Sequence, residues 1–170
     1  MFVMNIHPIV IHFPIACLIL YTGLEVLTLF VKSRRDKLYL TKIMLLIIGT
    51  IGAFMAIQTG EYAGEQLGYT ELIEAHSEFG EMSYSTYLII WIIYACQYML
   101  ATKPGMQILA NSFGAVLGKI IKFASHPIIL SLIALVGLVL LSITGALGGA
   151  ISHGIDTDPV VRIVYDLIMK

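Results

Sequence analysis

The chain has 170 residues, 58% hydrophobic and only 12% charged, with a net charge of -1 and a mean hydropathy of +0.90. So few polar residues cannot cover a water-soluble domain, and the class is integral membrane protein. No basic tract and no low-complexity segment is present, which excludes a nucleic-acid partner.

Met1 to Asn5 has no positive charge and no small-residue cleavage site, so no removable signal peptide is expected. The first apolar run opens with His7-Pro8-Ile9-Val10-Ile11-His12-Phe13-Pro14. Four runs, over residues 8–31, 38–58, 82–101 and 127–151, reach the roughly 20 residues that cross a hydrocarbon core. Backbone polar groups in lipid must bond within their own segment, so each run is expected to be a helix. The predicted fold is all-α, a single integral membrane four-helix bundle spanning residues 1–170. Cys17 and Cys96 fall inside apolar runs, which argues against a disulfide framework. No Cys-x-x-Cys-His motif for covalent haem attachment occurs.

The connections fix the expected orientation. Lys32, Arg34, Arg35, Lys37 and Lys42 follow the first span, and Lys103, Lys119 and Lys122 follow the third, so 8 of the 10 Lys and Arg lie on one side. The opposite connection holds Glu61, Glu65, Glu71, Glu74, Glu78 and Glu81 with no cation. The positive-inside rule then places both termini outside the cytoplasmic membrane of a bacterium. Helices two and three are expected to continue past the membrane on either side of Gly68, with Thr70 capping the third. Residues 106–124 suggest an inner interfacial helix. Residues 158–169 suggest an outer amphipathic tail capped by Asp158 and begun by Pro159.

This topology brings His7, His12, His76 and His153 to the outer interface and leaves His126 inside. Neutral imidazole is a ligand for haem iron, zinc and copper. His7 and His12, five residues apart, point about 140° apart on a helix, so they suit separate roles rather than one iron. His12, a full turn into the span, is the better ligand candidate, and His7 is more easily explained as a helix cap. Gly60, Gly64, Gly80, Gly145, Gly148 and Gly149 cluster at the same end. They allow close approach of a flat macrocycle or of another helix. Glu25 lies inside the first span, where a carboxylate is a functional candidate by default. Its ordinary alternatives are Lys32, or protonation against Tyr21 or Thr22.

His7-Pro-x-x-x-His12-Phe-Pro-Ile-Ala16, His76, and Thr144-Gly-x-Leu-Gly-Gly149-x-x-x-His153-Gly154 resemble a bacterial membrane family catalogued as domain of unknown function 2231. Here Ile-Ser-His-Gly stands where that family often ends Val-Tyr-x-x-Gly. The resemblance implies four membrane helices and no particular activity.

Three functions compete. The first is a b-type cytochrome carrying one or two bis-histidine haems (haem b) on pairs drawn from the four outer histidines. It would be an electron-transfer protein rather than a substrate-converting enzyme. Its partners would be membrane or periplasmic redox subunits such as cytochromes, with quinone a further candidate, and the outer glutamates would face a basic partner. The second is an outer-face site for copper, zinc or iron, using the same histidines with Glu61 and Glu65, which share a helix face. The third is a cofactor-free structural subunit of a membrane complex.

Overall fold

A computed structural model describes residues 7–31, 33, 35–68, 70–102 and 112–170. Among them are six helices and no strand: α1 His7–Phe30, α2 Arg35–Leu67, α3 Glu71–Leu100, α4 Ser112–Ala124, α5 Pro127–His153 and α6 Pro159–Met169. The signal-peptide question, Lys32, Arg34, and the part of the expected interfacial helix before Ser112 lie outside the described residues.

Three of these helices are long and apolar enough to cross a membrane, namely α1, residues Asp36–Leu67 of α2, and α5. The fourth expected span, 82–101, falls on the later part of α3. That helix opens with four glutamates and then Ser83-Tyr84-Ser85-Thr86-Tyr87, so its strongly apolar stretch is short. The four long helices close a ring, in which α1 packs on α2, α2 on α3, α3 on α5, and α5 back on α1. Their shared core holds Leu18, Tyr21, Leu46, Tyr87, Ile90, Tyr94, Leu130 and Ala134. Outward, large apolar side chains such as Phe13, Leu20, Ile51, Phe54 and Leu132 stand exposed, as lipid-facing residues do.

Close packing is set by small residues. A Cβ on Gly49 would lie 2.6 Å from Leu18, one on Gly52 3.0 Å from Pro14, and one on Gly137 2.9 Å from Tyr87. These glycines bring α1 onto α2 and α3 onto α5, where dispersion rather than water drives association.

The ends are defined by local chemistry. Gly68, at φ +80°, turns the chain between α2 and α3, and the Thr70 hydroxyl accepts the Ile73 N–H at 3.3 Å. Both helices therefore run on either side of Gly68, as the capping residues predict. At 1.5 Å per residue α2 is about 50 Å long, well beyond the hydrocarbon thickness. Gly154, at φ +93°, ends α5. Asp158 Oδ1 then accepts the Val160 N–H at 2.7 Å, and Pro159 opens α6. An ion pair between Arg162 and Asp156 ties α6 back to the preceding turn.

Candidate functional site

Each helix of the ring contributes to one polar cluster at the end where α1 begins. On α1 the residues His7, Pro14, Leu18, Tyr21, Glu25 and Thr28 recur at seven-, four- and three-residue steps, and all except the half-buried His7 are buried. On α3 the same spacing aligns His76, Ser83, Tyr87, Ile90 and Tyr94. Helical periodicity thus turns both histidines toward the ring interior.

His7 and His76 meet there, with ring centroids 6.3 Å apart and ring planes perpendicular. His76 Nδ1 lies 2.9 Å from the Thr144 carbonyl oxygen of α5. A carbonyl only accepts, so Nδ1 carries the proton and Nε2 carries the lone pair of the neutral ring. His7 Nδ1 lies 3.1 Å from Thr59 Oγ1 of α2. The Thr59 hydroxyl donates to the Met55 or Ala56 carbonyl, at 3.1 and 3.0 Å, and so accepts from His7. Both imidazoles are held by an outer hydrogen bond of the kind that fixes the tautomer of a ligating histidine. Burial holds the His76 imidazole below its ordinary value of 6.5, partly offset by its bond to Thr144, so it is neutral at pH 7.

The glycines beside the rings are specific. A Cβ on Gly60 would lie 3.0 Å from His7 Cε1, and one on Gly148 would lie 3.0 Å from His76 Cε1. Gly64 is buried on α2 one turn after Gly60. Gly80 faces Thr144 at 3.6 Å, Gly145 opens onto free space, and Gly149 faces Val161 of α6 at 3.3 Å. It is Gly148, beside Gly149, that receives His76.

The other candidates stand apart. His12 is exposed on the outer face of α1 and bonds through Nδ1 to the Pro8 carbonyl. His153 is the exposed last residue of α5. His126 caps α5 at the opposite end with no side-chain bond to the helix. Glu61 and Glu65 are exposed. Among the described residues, no three His, Cys, Asp or Glu converge as a metal site.

The separation of the two rings can be weighed against coordination geometry. With about 2 Å from ion to nitrogen and about 1 Å more to the ring centre, two opposed imidazoles stand about 6 Å apart, whereas a tetrahedral pair stands about 5 Å apart. The 6.3 Å centroid separation is close to the first of these distances.

A family model described as a predicted membrane protein, DUF2231, matches residues 3–159. The chain belongs to that family. No curated protein and no solved structure matches it. This DUF2231 chain has a second polar cluster, toward the other end of the ring. Glu25 Oε2 accepts from Tyr21 at 3.1 Å, from Tyr94 at 2.9 Å and from Lys42 Nζ at 3.0 Å, with Glu25 1% exposed. Ser131 of α5 donates to the Glu25 carbonyl at 3.3 Å, and Thr22 and Tyr87 hydroxyls pair at 2.9 Å. The sequence singles out Glu25, Tyr21 and Thr22 but not Lys42 or Tyr94. Lys42 reads as one more loop cation, although it lies seven residues into α2 and so two turns from the basic segment.

Proposed function

We propose that this DUF2231 protein is a membrane b-type haem protein in which His7 and His76 would hold one haem. The observation that carries the reading is the pair of Nδ1-anchored imidazoles, with ring centroids 6.3 Å apart, inside the end of a helix ring. Bound there, haem supplies a one-electron carrier. Thr59 and the Thr144 carbonyl orient the two rings and raise their basicity. Gly60 and Gly148 let each ring lie against a helix backbone. His12 and His153 are exposed and stand outside this pair, which supports one haem rather than two.

In this reading α3 is the fourth span and the histidine end faces outward, with both termini outside a bacterial cytoplasmic membrane. The eight basic residues of the opposite connections support that orientation. The six glutamates around the histidine end give it a negative field suited to a basic redox subunit. In this reading the protein is an electron relay. A bare zinc or copper site has less support, because no third His, Cys, Asp or Glu joins the two imidazoles among the described residues.

Haem content per protein in site variants tests the assignment. His7→Ala and His76→Ala each lose most of the haem, while His12→Ala and His153→Ala keep it. Wild-type haem ratios in both of the first two variants would refute this pair.

A further inference from the structure

The basic end of the ring carries a different surface. There α4 turns Gly114, Leu117, Gly118 and Ile121 toward α3 and α5. Its opposite side exposes Val116 (55%), Ile120 (56%) and Phe123 (72%), three and four residues apart and so in one stripe. Lys119 and Lys122 flank that stripe and are exposed, and neither forms a salt bridge among the described residues. Between α4 and the end of α3 lies a groove of about 200 Å³, with Leu100 and Ile121 as apolar wall and Gln97, Lys122 and Ser125 as polar rim. Ser125 spends its proton on the Ile121 carbonyl, so Gln97 and Lys122 are the donors facing the groove.

We propose that this face of α4 and its groove bind anionic phospholipid. The apolar stripe matches acyl chains, and the two lysines sit at its edge where phosphate groups begin. Charge decides between lipid classes. Across residues 32–42 and 103–122 there are eight Lys and Arg against one acid, Asp36, and Lys42 is already satisfied by Glu25. An excess of that size attracts an anionic surface and gains nothing from a zwitterionic one. The neighbouring ends of α3 and α5 also expose Tyr98, Met99 and Ile128, so the stripe continues an apolar belt rather than standing alone.

The test uses the full chain in detergent, with added phosphatidylglycerol, phosphatidylcholine or inorganic phosphate, read by thermal melting and by native mass spectrometry of bound lipid. Phosphatidylglycerol is expected to raise the melting temperature and to remain bound, while phosphatidylcholine and phosphate alone do neither. The variant carrying Lys119→Gln and Lys122→Gln is expected to keep the lipid-free melting temperature and bind phosphatidylglycerol roughly thirtyfold more weakly. Equal stabilisation by phosphatidylcholine, the same shift with phosphate alone, or unchanged affinity in the double variant overturns the proposal. Should that variant fail to fold, salt dependence of the wild-type shift decides. A shift that weakens with added salt supports the lysines, and one indifferent to salt overturns them.

Discussion

His7 and His76 differ from His12 in where Nδ1 reaches: His12 bonds the Pro8 carbonyl of its own helix, whereas His7 and His76 bond across to α2 and α5. Thr59 and the Thr144 carbonyl each hold an Nδ1, and losing such an outer partner commonly weakens a bound ion by tenfold or more. Thr59→Val is therefore expected to lower haem retention about tenfold under dilution while leaving the helical content unchanged. Equal retention would show that Thr59 does not position His7. Gly148→Ala pushes a methyl to 3.0 Å from His76, so the ring must move, and lower haem occupancy is expected at wild-type expression. His76 also sets a pH dependence. Burial keeps its folded-state value below 6.5, so the unfolded chain takes up a proton first as the medium is acidified. The apo protein should hold its full stability above pH 6.5 and lose some as the pH falls below it, with His76→Gln flattening that slope in melting curves.

Depth in the span favours His12 over His7 in the sequence, whereas the fold brings His7 beside His76 and leaves His12 exposed. Both lie beside prolines. What decides is angular position, because Pro14, Leu18, Tyr21 and Glu25 all lie on the line of His7 and place His12 outside it. That line can be found by counting sevens back from Tyr21 through Pro14 to His7, so a signal was present. The tether from Thr144 uses a backbone carbonyl, which no sequence pattern carries.

At the scale of helices, the Glu25 cluster joins α1 to α2 through Lys42, to α3 through Tyr94 and to α5 through Ser131. A buried ion pair is costly to break from one side, because the survivor is left charged and unpaired. Glu25→Gln or Lys42→Met alone is expected to destabilise the fold by about 3–5 kcal/mol. The double variant should be much less harmed than the sum of the two. Strict additivity in a double-mutant cycle of melting or denaturant curves would remove the pair from the account. The boundaries of the helices were readable, since Gly68, Thr70, Pro127, Asp158 and Pro159 act locally. The composition of α3 was harder to read as a span, because its inward face is built of Ser83, Tyr87 and Tyr94 hydroxyls that lower its hydropathy while lying buried.

For the molecule as a whole, the two ends differ in charge and in chemistry. Acids and the histidine pair share one end, cations and α4 the other, with the Glu25 cluster about 27 Å along α1 from His7 at 1.5 Å per residue. That span is close to the hydrocarbon thickness of about 30 Å, so in the proposed orientation the two polar clusters would lie near opposite borders of the bilayer. A reporter fused after Lys170 is accordingly expected to be outside the cell membrane, and one inserted between α3 and α4 inside. The reverse pattern would put the histidine pair on the cytoplasmic side and overturn the proposed orientation. The central claim is haem on His7 and His76, and its most direct test is the reduced-minus-oxidised visible spectrum of the full chain purified in mild detergent from haem-replete cells. The account predicts a Soret band and the sharp bands of a low-spin bis-histidine haem, at one haem per chain. A haem-replete preparation with no Soret absorbance would contradict it.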